Sequence, residues 1–120
     1  WASQADQWPF FMQVVEPYLT ENWSALMEVA TKWTNEEPNN IEAWFYLAAA
    51  EYASQDKVNA EAHMKKVTAM NAQHSQAIYY LGLIAEENGK HMEALTNIAL
   101  LTALDAEAAT KLKSKIAGLN

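Results

Sequence analysis

Apolar residues recur along this chain with the period of a helix. Phe10, Phe11, Val14, Val15, Tyr18 and Leu19 fall at i, i+1, i+4, i+5, i+8 and i+9, which is one helical face. The pattern predicts a helix from about residue 6. Pro9 suits its first turn, where a missing N–H costs nothing. Pro17 predicts a kink or early end near Glu16, because a helix interior needs the donor that proline lacks. Residues 20–22 read as a turn, with Asn22 as N-cap. Trp23, Leu26, Met27, Ala30 and Trp33 form the next face, which stops at Glu37-Pro38-Asn39-Asn40 because the residue before proline avoids the helical region.

The same reasoning places helices over 41–54, 58–70, 75–87, 91–104 and 106–117. Their inner faces carry Trp44, Leu47 and Ala48; Ala60, Met64 and Val67; Ala94, Leu95, Ile98 and Leu101; and Ala109, Leu112 and Ile116. Gln55-Asp56-Lys57 turns, Asn88-Gly89 is a C-terminal stop, Asp105 caps the last helix and Gly118 ends it. No stretch alternates with period two for long. The expectation is an all-α chain of about seven helices.

A second regularity lies over the first. Shifted by 34 residues, Ala43 falls on Ala77, Tyr46 on Tyr80, Leu47 on Leu81, Ala60 on Ala94 and Thr68 on Thr102. A fixed period of this length with helical spacing inside it marks a helix-turn-helix repeat whose units stack to share a core. Trp44-x-x-Leu47-Ala48 with Ala60, Met64 and Val67, then Ile78-x-x-Leu81-Gly82 with Gly89, Ala94, Ile98 and Leu101, resemble the tetratricopeptide (TPR) repeat. The small residues let two helices approach closely. The resemblance implies a right-handed α-solenoid in a single domain, 1–120. Its repeats would span 41–74 and 75–108, after a degenerate first repeat over 7–38 and before a capping helix over 106–118. The pattern departs from the family where Leu26 and Trp33 replace small residues, where Pro17 interrupts, and where Ala72 and Ala106 stand in for proline.

Composition narrows the function. The chain has 120 residues, 51% of them hydrophobic, with three Gly and three Pro, a balance that favours compact helices. Its formal charge of −7 argues against a nucleic-acid partner, which basic clusters would have to neutralise. Lys111, Lys113 and Lys115 read as a solvated face of the last helix. The absence of cysteine excludes disulfides and thiolate metal sites and leaves the compartment open. No apolar run reaches the roughly 20 residues of a membrane span. The start at Trp1 suggests a processed protein or an excised part of a longer one.

Chemistry-bearing constellations are sparse. His63, His74 and His91 fall on separate elements, Glu61 cannot share a helix face with His63, and the Glu36-Glu37 and Glu86-Glu87 pairs sit at helix ends. No catalytic residue, cofactor or metal is expected, so the chain reads as non-enzymatic. Within the TPR resemblance, the first helix of each unit lines a concave face that holds a partner peptide or helix. That assigns partner binding to Glu42, Phe45, Tyr46, Ala49 and Tyr52, followed by Gln76, Tyr79, Tyr80, Leu83 and Glu86, an aromatic groove with acidic edges. The basic and amide residues of the family's carboxylate clamp are missing, which favours an apolar or weakly basic peptide.

Trp44 is expected in the core as a signature residue, and Trp23 and Trp33 as part of an apolar stripe. Trp1, Trp8, Phe10 and Phe11 form an aromatic cluster expected to cover the first end of the stack. Its other reading is a self-association surface, which makes homo-oligomeric assembly the alternative function. The chain also resembles TPR domains of bacterial envelope complexes, of the cytochrome-maturation, secretion or pilus type, with a lean towards the periplasm.

Overall fold

The computed structural model describes residues 8–116, and every described element is helical: α1 (Phe10–Gln13), α2 (Val15–Leu19), α3 (Trp23–Glu36), α4 (Ile41–Ala53), α5 (Lys57–Met70), α6 (Ser75–Glu87), α7 (His91–Leu104) and α8 (Ala106–Lys115). The expectations for Trp1 and Gly118 lie outside these residues. No described helix is long and apolar enough to cross a membrane.

Local chemistry sets the boundaries. The first helix breaks at Val14, slightly earlier than expected, because Pro17 has no N–H to offer the Gln13 carbonyl one turn back. Val14 is itself buried. Asn22, Asn40 and Asp105 cap α3, α4 and α8, accepting from the backbone N–H of Ala25, of Glu42 and Ala43, and of Ala108. His74 caps α6, its Nδ1 accepting from Ala77 N at 3.2 Å, a role that its residue type does not announce. Gly89, at φ +76°, supplies the left-handed turn after α6. The last helix stops at Lys115, short of the expected 117, because Ile116 turns extended and buries its side chain.

The chain packs as two compact units, 1–63 and 64–120, divided inside α5 rather than between the expected repeats. In the first unit, α1 and α2 pack on α3, and α3 pairs with α4. Val14, Leu26, Trp33, Ala43 and Ala50 form its core, flanked by Phe10, Tyr18, Trp23, Met27 and Tyr46. In the second, α6, α7 and α8 pack against one another. Their core is Ile78, Ala85, Ala94, Ile98, Leu101, Ala109, Leu112 and Ile116. Gly82 makes this packing feasible: a Cβ there would sit 2.5 Å from Leu112 Cδ2.

Candidate functional site

An aromatic column runs through the first unit. The Phe10 ring stacks on Trp33 at 6.0 Å, and Trp33 stacks on Tyr46 at 6.2 Å, both pairs within 18° of parallel. Tyr18 and Phe45 meet Tyr46 edge-on at 5.3 and 5.4 Å, and Trp23 meets Tyr18 edge-on at 6.2 Å. These are the offset and edge-to-face arrangements that ring quadrupoles favour. Docking of three helices brings them together: Phe10 leads α1, Trp33 lies at the start of the last turn of α3, and Tyr46 lies on the second turn of α4.

Beside this column lies a cleft of about 790 Å³, lined by Trp8, Pro9, Phe10, Phe11, Trp33, Glu37, Asn40, Glu42 and Tyr46. Its size is that of a small-molecule or peptide site. Trp8 and Phe11 stand at it 50% and 62% exposed, so the N-terminal aromatic cluster divides. Phe10 turns inward to cover the column, while Trp8 and Phe11 remain open to solvent.

The polar residues of the cleft are organised by one asparagine. Asn40 Oδ1 accepts from Glu42 N and Ala43 N, and its Nδ2 donates to Glu37 Oε1 at 3.0 Å. Glu42 lies in the first turn of α4, where the helix dipole favours a carboxylate. Glu37 is the C-cap of α3, which has no basic residue in its last turn, and the dipole there opposes negative charge. Tyr46 has its phenol pKa raised, first by burial and then by the charge of Glu42. Trp33 is 3% exposed, and among the described residues its Nε1 has no acceptor.

The outward face expected on α4 is corrected at two positions. Phe45 and Ala49 are buried, each 1% exposed, because α4 is apolar nearly all round and a helix of that kind is enclosed rather than half-solvated. Tyr46 and Tyr52 are half-buried and Glu42 is exposed. In the second unit Gln76 is exposed, while Tyr79, Tyr80, Leu83 and Glu86 are half-buried. Tyr79 and Leu83 pack on that unit's core, burial raises the Tyr79 pKa, and Lys111 Nζ lies 5.8 Å from its ring. Tyr80 meets Tyr79 edge-on at 5.9 Å, and Glu86 Oε1 lies 3.0 Å from His91 Nδ1. Trp44 is also corrected. It is half-buried rather than core, its Nε1 donating to the Pro38 carbonyl at 2.8 Å and its ring 5.1 Å from His63. Trp23 is half-buried as well, resting on the edge of the core.

Two features escape a reading by sequence spacing. Glu37, which the sequence pattern places at a helix end, lines the cleft. Buried Glu51, 6% exposed, meets His63 Nδ1 at 2.7 Å. Burial raises the Glu51 pKa, His63 opposes that rise, and Asp56 adds to it. Among the described residues no group of three or more His, Asp or Glu side chains could hold a metal ion. Scanned against known protein families and searched against curated proteins, the chain matches none.

Proposed function

We propose that this chain is a non-enzymatic protein–protein interaction module, TPR-like in organisation, that holds a partner peptide or helix against the aromatic residues of its first unit. One observation carries the reading: the cleft that joins exposed Trp8 and Phe11 to the Phe10–Trp33–Tyr46 column, with carboxylates at its edge. Exposed aromatic surface of this kind favours binding because rigid rings bury much area with little loss of entropy. The 34-residue repeat supports the architecture, and its small residues support close helix packing.

The test is binding of a peptide array of graded charge and hydropathy to the purified chain. Trp8→Ala with Phe11→Ala should abolish capture while the helical circular dichroism signal is retained. Capture that survives both substitutions refutes the placement.

A specific observation favours a second reading, self-association. Trp8, Phe11, Met12, Val15 and Leu19, at helical spacing, are 50, 62, 43, 50 and 73% exposed, an apolar strip that a second copy would cover. Light scattering across a wide dilution range separates the two readings. A constant monomer mass supports the peptide module. A dimer that Phe11→Asp makes monomeric supports assembly.

A further inference from the structure

We infer that the cleft of the first unit receives a basic side chain, lysine or arginine, carried on an otherwise apolar peptide segment. This rests on the interaction-module reading above and names the chemistry of its partner. Three independent features of the site ask for the parts of such a segment.

The walls ask for a cation with an apolar stem. Trp8, Phe10, Phe11 and Tyr46 present aromatic surface beside Pro9. Ring faces attract ammonium and guanidinium groups through their quadrupoles and pack against the methylenes that lead to them. The rim asks for positive charge. Glu37 and Glu42 line the cleft, and among the described residues lining it there is no Lys, Arg or His. Glu42 has a local reason to be where it is, at a helix N-terminus. Glu37 has the opposite, sitting at the C-terminal end of α3 with no basic residue in that turn, so helix electrostatics do not account for it. Asn40 nonetheless holds its carboxylate by a hydrogen bond. The influence of Glu42 on the Tyr46 phenol indicates that its charge is felt at the aromatic wall.

The third feature separates a peptide from a bare cation. The cleft, about 790 Å³, exceeds one lysine side chain or one small quaternary ammonium and leaves room for flanking residues. A second copy of this chain is the less suitable occupant, since its formal charge of −7 opposes an acidic rim.

The experiment is calorimetric titration of the intact chain with an acetylated, amidated pentapeptide, Leu-Ala-Lys-Ala-Leu, and with versions carrying norleucine or Glu at the centre. The lysine peptide should bind about tenfold tighter than the norleucine peptide at low salt, with the gap closing as salt is added. The Glu peptide should bind weakest. In a Glu37→Gln, Glu42→Gln variant the lysine and norleucine peptides should become equal while the norleucine affinity stays the same.

Equal affinity for lysine and norleucine in the unaltered chain overturns the inference and leaves an uncharged-peptide module standing. Failure of every peptide at millimolar concentration overturns the module reading as well. Tetramethylammonium that displaces the lysine peptide at equal concentration overturns the peptide as occupant. A light-scattering mass that doubles and blocks titration assigns the cleft to a second copy and overturns the inference.

Discussion

Replacing Gly82 by alanine tests whether the second unit depends on close approach between α6 and α8. A Cβ at residue 82 would lie 2.5 Å from Leu112 Cδ2, 3.3 Å from Cδ1 and 3.4 Å from Cγ. Carbon atoms pack best at about 3.5–4.0 Å, so the new Cβ would clash with Cδ2 and crowd Cδ1, while Cγ stays at ordinary contact distance. The methyl groups must shift, yet Leu112 is fully buried among Ile78, Ala85, Ala94, Ile98 and Leu101. Two effects compete. Alanine gains about 1 kcal/mol over glycine in a helix interior, and overpacking costs about 1–3 kcal/mol. Two crowded methyl carbons, one of them in outright clash, against an enclosed leucine put the cost in the upper part of that range, for a net loss of about 1–2 kcal/mol. At about 4 °C per kcal/mol for a chain of this size, Tm should fall by about 4–8 °C.

Urea denaturation followed by circular dichroism measures the same loss as a shift in midpoint. The decisive form is a double-mutant cycle with Leu112→Ala, which alone should cost about 2–5 kcal/mol through the cavity it leaves. If the steric argument holds, the double variant loses less than the sum of the single changes by about 1 kcal/mol or more. A Gly82→Ala variant that is more stable than the original chain, with additive effects in the cycle, would refute the claimed close packing.

Two further predictions concern the first unit. At Gln55, exposed and at φ +72°, Gln55→Gly should stabilise by about 1 kcal/mol, because a side chain at positive φ carries strain that glycine avoids; an unchanged or lower urea midpoint would count against it. The Glu51 carboxyl has its folded pKa raised above the ordinary 4.5, chiefly by burial. A raised folded value means the native state holds this proton to higher pH than the unfolded chain does. The stabilisation is therefore complete below about pH 4.5 and is lost as pH rises through the raised value. With His63 and Asp56 left in place, Tm of Glu51→Gln relative to the unaltered chain should rise between pH 4 and pH 7. A relative Tm that falls over this window would mean that the ion pair with His63 outweighs the cost of burial.

Most of the local architecture was legible in the sequence because local chemistry determines it. Helix spans follow from apolar spacing, and ends follow from Asn22, Asn40, Pro38, Gly89 and Asp105, whose effects act within a few residues. The bounds Ser75–Glu87 and His91–Leu104 coincide with those expected, and Ala60, Met64, Val67, Ala94, Ile98 and Leu101 are buried as their spacing implied. Where the sequence was ambiguous, tertiary packing decided. On α4, residues 41–53 are apolar on nearly every side, so periodicity could not say which face lies outward, and Phe45 and Ala49 went inside. The cleft gathers Trp8 and Phe10, Trp33 and Glu37, and Glu42 and Tyr46 from three separate segments, and no spacing rule links residues that far apart. Likewise Glu51 and His63 meet across two helices, and Leu112 fills the space left by Gly82. Backbone hydrogen bonds and caps are short-range and write themselves into neighbouring residues. Which side chains share a cavity depends on how rigid helices dock, and that is settled by shape and burial over the whole unit.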